Sequence, residues 1–308
     1  MDLQFYDLIG KISPCYIVIL FGYLVGKYLN VDRTSVANLL FYVVVPVVFL
    51  TFGMRVKMHP DFFILPVLLF CIGMLLNKIY FTGCRLLWRN SGRRANLIGY
   101  SAGTANAGYV GLPIALMLFD IEIVAVYMFM NIGMSFYDYS YSAYTVARGQ
   151  FGLKEAIKNV FKLPILWSFF LGLTLNYCNI VIPANLEPLV NSFSGAYAIL
   201  GMIIIGLGMA AITKFKFNWT FILILLSSRF IASPLVMLFL VALDSKVFYI
   251  FDHAIHQAAI LISVMPPAVN TVIYATIYHT HVEEAASSVF IGTLISLIYL
   301  PLVISILF

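Results

Sequence analysis

Charge is what this 308-residue chain has least of: its 18 Lys and Arg and 13 Asp and Glu amount to 10% of the residues, against about 25% in an ordinary soluble domain. With 62% of the residues hydrophobic, too little polar surface is left to face water, and a soluble globule is excluded. The net charge of +5 does not point to nucleic acid, because the basic residues fall in short loops between apolar runs and form no patch or tail. Cysteine is scarce as well. Cys15, Cys71, Cys84 and Cys178 all lie inside apolar runs, which excludes a disulfide framework and a zinc site by spacing and leaves them as small hydrophobes. No cofactor is implied. The first residues carry Asp2 and Asp7 where a cleaved signal peptide has basic residues, and no small-residue cleavage site follows, so the first apolar run is expected to stay in the protein.

Long apolar runs are what the sequence has instead. At roughly 20 residues per membrane crossing they number ten, near 8–29, 34–54, 61–87, 96–119, 123–147, 163–181, 188–212, 219–243, 249–278 and 285–307. The expected fold class is therefore an all-α integral membrane protein of ten transmembrane helices, with the lipid bilayer as its surroundings and the cell membrane as its location. Lys and Arg concentrate on one side. Placing the N-terminus outside leaves thirteen in the inner loops (Lys27, Arg33, Lys78, Arg85, Arg89, Arg93, Arg94, Arg148, Lys154, Lys158, Lys162, Lys214, Lys216) and four outside (Lys11, Arg55, Lys57, Lys246), so both termini are expected outside.

The two halves echo each other. Pro14 and Gly22 of span one match Pro164 and Gly172 of span six; Tyr42, Gly53 and Met54 match Tyr197, Gly208 and Met209; Ile132 and Gly133 match Ile291 and Gly292. Five spans per half, an odd number, require the second half to be inverted in the membrane, with repeats at 1–148 and 163–308 in one domain. Spans four and nine are interrupted at corresponding places, the first by Gly103, Gly108, Gly111 and Pro113, the second by Pro266, Pro267 and Asn270. Interrupted backbone inside a bilayer is tolerated only where protein or a water-filled cavity satisfies it, and a pair of interrupted spans in two inverted halves points to a transporter's binding site.

Several stretches carry a family likeness. NAGYVGLPIALMLF (106–119), GLGMA (206–210), RFIASPLVM (229–237), MPPAVNTVIYATIYH (265–279) and the closing SSVFIGTLISLIYLPLVISIL resemble the auxin efflux carrier family. That family takes in bacterial malonate- and malate-type permeases and the plant PIN-formed carriers, and the chain looks most similar to its short bacterial members. The resemblance implies a fold like that of the bile-acid sodium symporters, with spans four and nine crossing at their breaks. It also implies a scaffold and homodimer interface from spans one, two, six and seven, and an elevator-like moving part from spans three to five and eight to ten. It places Asn106 at the crossing of span four and Pro266 at that of span nine. Where plant members have a proline before the asparagine this chain has Ala105, which assigns the break in span four to Gly108 and Gly111 with Pro113.

Counting from the ends of the spans at 1.5 Å per residue puts Asn106, Asp138, Arg229 and Asn270 all about 14–16 Å deep, near the middle of a hydrocarbon core roughly 30 Å thick. Asn131, Ser135, Asp138, Ser142 and Thr145 follow at helical spacing on one face. Asp138 and Arg229 leave three readings open: a structural ion pair, a proton-carrying Asp138, or an Arg229 whose planar fork takes a substrate carboxylate. Asn106 and Asn270 supply donor and acceptor without a charge, beside helix ends whose N–H groups suit an anion. The expected substrate-binding set is Asn106, Gly108, Pro113, Asn131, Asp138, Arg229, Pro266, Pro267 and Asn270. His and acidic residues at 252–257 and 279–284 have the composition of membrane-surface loops and are not taken as metal ligands. The function expected is a secondary transporter of a small organic anion, with the proton as a candidate coupling ion; the alternative is a membrane receptor that binds a small molecule without moving it. No nucleophile-and-base constellation suggests an enzyme.

Overall fold

The computed structural model describes residues 5–56, 59–88, 92–147, 161, 164–211 and 217–308. Of the loop residues behind the expected orientation, Lys57, Arg89, Arg148, Lys154, Lys158, Lys162, Lys214 and Lys216 lie outside the described residues.

Twelve helices account for the regular structure among the described residues: α1 Phe5–Tyr28, α2 Arg33–Arg55, α3 Pro60–Leu87, α4 Gly92–Gly103, α5 Ala107–Leu118, α6 (121–147), α7 Pro164–Tyr177, α8 Glu187–Ala210, α9 Trp219–Phe248, α10 His253–Ser263, α11 Asn270–Ile277 and α12 Val282–Leu307. Six of them, α1, α2, α3, α8, α9 and α12, are long and apolar enough to cross a membrane. The chain is an all-α, multi-pass integral membrane protein. Within these helices many hydroxyls bond back to carbonyls of their own helix, as Ser168 does to Pro164, Thr174 to Phe170 and Ser192 to Pro188, each at 2.8 Å. That removes the cost of an unmet polar group beside hydrocarbon.

Prolines shape the helices that they enter. Wide π turns at Leu40–Val44, Ala107–Gly111 and Ser228–Ala232 each end two residues before a proline, Pro46, Pro113 and Pro234. Proline has no N–H to give and its ring pushes on the carbonyl four residues back, so an extra residue in the preceding turn relieves the clash. At Pro234 the carbonyl four back belongs to Phe230, and it accepts the Tyr299 hydroxyl of α12 at 2.9 Å.

The stretches 96–119 and 249–278 are each split into two half-helices, α4 with α5 and α10 with α11. The break in the first lies at Thr104–Asn106, immediately before the glycines expected to make it. Gly108 and Gly111 sit in the π turn that opens α5, where they admit tyrosines: a β-carbon would stand 2.5 Å from the Tyr197 hydroxyl at Gly108 and 1.9 Å from that of Tyr127 at Gly111. Their small size serves packing, and the break is held by the other broken segment.

Two pairs of helices meet backbone to backbone. In the α1–α8 pair, β-carbons on Gly22 and Gly206 would come within 2.5 Å of the Ile203 carbonyl oxygen and 2.1 Å of that of Ile19. In the α2–α7 pair, β-carbons on Gly53 and Gly172 would come within 2.6 Å of the Phe169 oxygen and 2.1 Å of that of Leu50. These helices, with α2 also against α8, pack as one group, while α3 packs on α4 and α6, and α12 on α9, α11 and also α1, where the hydroxyls of Tyr16 and Ser296 meet at 2.7 Å.

Candidate functional site

The two breaks cross. Asn106 N–H donates to the Pro266 carbonyl at 2.9 Å, and Ala105 and Pro267 form an antiparallel bridge. Two non-helical segments, only the second of them containing prolines, thus satisfy each other's backbone where each helix is interrupted. Beyond the bridge Pro267 packs against Gly292 of α12, where a β-carbon would be 2.8 Å from its ring.

On one side of the crossing lies a cavity of about 80 Å³. Thr104, Asn106, Gly108 and Tyr109 come from the first break, Ala268, Val269 and Asn270 from the second, and Asn131, Ser135, Asp138 and Tyr139 from α6. Phe41 and Val45 of α2, Ile165 of α7 and Tyr197 of α8 close it opposite. Both α5 and α11 begin at this cavity. The N–H groups of Thr271 and Val272 are taken by the carbonyls of Ala268 and Val269 at 3.0 Å, and those of Val110 and Gly111 by the Asn106 carbonyl at 3.2 Å. That leaves the very first N–H groups of each helix without a carbonyl of their own helix.

Asp138 is the charged residue of the lining and is 4% exposed. One carboxylate oxygen accepts the Tyr100 hydroxyl and the other the Asn270 side-chain N–H at 2.6 Å. Asn270 is thereby fixed by α6 and does more than cap its own helix. Asn106 is different: its side-chain nitrogen is buried and has no hydrogen-bond partner. A buried donor left unmet costs about 1–3 kcal/mol, so a ligand bringing an acceptor there is favoured. No Lys, Arg or His lines the cavity among the described residues.

Of the nine residues expected to bind substrate, Asn106, Gly108, Asn131, Asp138 and Asn270 are brought together on this cavity. Pro266 and Pro267 form the crossing itself, Pro113 is buried in α5 beyond the π turn, and Arg229 is elsewhere. The ion pair considered between Asp138 and Arg229 is absent. The Arg229 guanidinium, 1% exposed, donates to the carbonyls of Ser263 at 3.2 Å, Met265 at 3.4 Å and Ala102 at 3.4 Å, and Ser233 adds a bond to Ser263 at 3.0 Å. The Ala102 and Ser263 carbonyls lie at the C-terminal ends of α4 and α10, where a helix dipole is negative, and Met265 follows in the break itself, so Arg229 closes the back of the crossing.

Residues missed from sequence are mostly aromatic. Tyr100 holds Asp138, and Tyr109, Tyr139 and Tyr197 line the cavity. A π turn at Asp138–Ser142 shifts the register of the rest of α6, and at the end of the expected stripe Thr145 accepts the Asn77 amide of α3 at 3.3 Å.

A crossing of two broken helices around a small polar cavity is the site of a membrane carrier class, and the comparisons agree. Residues 148–304, about half of the chain, match the family described as membrane transport protein. The chain belongs to this family, the auxin efflux carrier family. It is similar to an uncharacterized transporter of Methanocaldococcus jannaschii, 29% identical over 279 residues that cover 86% of each chain. A second uncharacterized transporter, from Methanothermobacter thermautotrophicus, is 24% identical over 297 residues, covering 93% of this chain and 94% of its own. The family and these relatives are transporters, not enzymes.

Proposed function

We propose that this membrane transport protein is a secondary carrier of a small organic anion, a carboxylate of the malonate, malate or auxin-like kind, and that it moves one proton with it on Asp138. The observation that carries the reading is the cavity at the crossing, where an unpartnered amide donor on Asn106 and the opening N–H groups of two half-helices share a lining with a single carboxyl group. A buried donor without a partner suits an acceptor-rich ligand. A carboxylate about 5 Å from an ionised Asp138 would be repelled by about 3 kcal/mol at an effective dielectric of about 20. A protonated Asp138 removes that repulsion, so anion and proton load together.

In this reading the chain crosses the membrane ten times as two inverted five-span halves. The glycine contacts support it with a shift of register: exchanging the halves carries Gly22 against Ile203 into Gly172 against Leu50, and Gly206 against Ile19 into Gly53 against Phe169, so that the counterpart of Gly53 is Gly206 and not the Gly208 matched in sequence, which lies against Arg33. The α1, α2, α7 and α8 group is the scaffold, and the remaining helices slide past it, with the cavity between the two.

The test is uptake by purified protein in liposomes of labelled malonate, malate and indole-3-acetate under an imposed pH gradient. The carrier reading expects saturable uptake of at least one acid, accumulation driven by the proton gradient, and counterflow. In Asp138→Asn, a permanently neutral mimic of the protonated carboxyl, gradient-driven accumulation disappears while counterflow persists. Saturable binding without flux indicates a receptor, and accumulation by Asp138→Asn equal to wild type removes the proton from the proposal.

A further inference from the structure

Two cavities lie end to end along α8. Tyr109, on the wall of the crossing cavity, packs on Gly201, where a β-carbon would meet its ring at 2.6 Å. Seven residues on, about 10 Å along the helix axis, the Arg33 guanidinium lies across Gly208, its carbon 3.4 Å from where a β-carbon would stand. Val269 belongs to the walls of both cavities.

The second cavity is a slit of about 10 Å³, walled by Ile205, Val272 and Val289 among other apolar groups, with room for about one water. Arg33 is partly exposed at the start of α2, but its Nη2 is shut off from solvent at this slit and has no hydrogen-bond partner. The adjacent Asp32 is engaged elsewhere. Its oxygens accept the backbone N–H groups of Thr34 at 3.2 Å and Ser35 at 2.8 Å, and the Ser35 hydroxyl at 2.7 Å.

We propose that Arg33 is a second anion subsite, which receives the substrate's carboxylate between the crossing cavity and the membrane face at which α2 begins and α8 ends. This inference rests on the carrier reading above. A guanidinium is a donor-only group whose fork matches both oxygens of a carboxylate, and apolar walls strengthen its pull on an approaching anion. The slit separates α2 and α8 on one side from α11 and α12 on the other. Sliding of one pair along the other widens it, and the shared Val269 wall joins it to the crossing cavity. Arg33 and Asn106 are then successive stations: both present a buried nitrogen donor without a partner.

The experiment measures uptake of labelled malonate, malate and indole-3-acetate by liposomes bearing wild type, Arg33→Gln, Arg33→Met or Arg33→Lys, at low and high salt. Arg33→Met replaces the guanidinium with an unbranched neutral side chain that still reaches towards Gly208, and the melting temperature of each variant reports folding separately. The subsite predicts that Vmax/KM falls at least tenfold in the neutral variants, that Arg33→Lys stays within about threefold of wild type, and that the decline of wild-type uptake with salt flattens once the charge is gone. A folded neutral variant with wild-type Vmax/KM and wild-type salt dependence overturns the subsite and leaves the carrier standing. A wild type that moves none of the acids takes down the carrier reading and the subsite with it.

Discussion

Arg229 and Asp138 show what a single residue's depth does and does not reveal. Counting along the spans put both near mid-membrane, together with Asn106 and Asn270, and three of the four do meet at one cavity. Depth follows from a fixed rise per residue, whereas direction around the helix depends on neighbours and on any irregular turn. Arg229 follows immediately on the start of the π turn at Ser228–Ala232 and points to the carbonyl ends of α4 and α10, away from Asp138. Arg229→Gln is accordingly expected to destabilise the protein by about 3 kcal/mol, since it leaves three buried carbonyls without their charged donor. Adding Asp138→Asn should restore none of this loss. Thermal unfolding of both single variants and the double variant in detergent checks it; recovery in the double variant would restore the ion pair that the geometry lacks.

At the scale of elements, prolines and glycines made the interrupted spans legible, because their backbone chemistry is local. The π turns were not legible, since a proline states that its own turn must yield but not how the surrounding helices will accommodate it. Nor was the purpose of Gly108 and Gly111, which depends on tyrosines contributed by α8 and α6. Pro234, Phe230 and Tyr299 make a measurable case. With Pro234 present, Tyr299→Phe leaves the Phe230 carbonyl unmet and is expected to cost about 1–2 kcal/mol. In a Pro234→Ala background the helix regains an N–H that can bond within the turn, and the same Tyr299→Phe change should cost less than about 0.5 kcal/mol. A double-mutant cycle on thermal stability reads the difference directly; equal costs in both backgrounds would show that Tyr299 does not replace a bond removed by the proline.

For the whole molecule, Gly22 with Gly206 and Gly53 with Gly172 bring α1 to α8 and α2 to α7, backbone against backbone, while Gly208, the residue matched to Gly53 in sequence, lies two places beyond Gly206 against Arg33. Such an arrangement leaves the crossing of α4–α5 with α10–α11 at the centre, between one packed group of helices and the rest. The carrier account requires that substrate bind there, on the donor that Asn106 holds unpaired. Counterflow of the labelled acid that wild type carries, measured for wild type and Asn106→Ala at equal reconstituted amounts, tests this most directly. The account predicts that Asn106→Ala folds and inserts normally but loses at least tenfold in Vmax/KM. Counterflow by Asn106→Ala indistinguishable from wild type would contradict it.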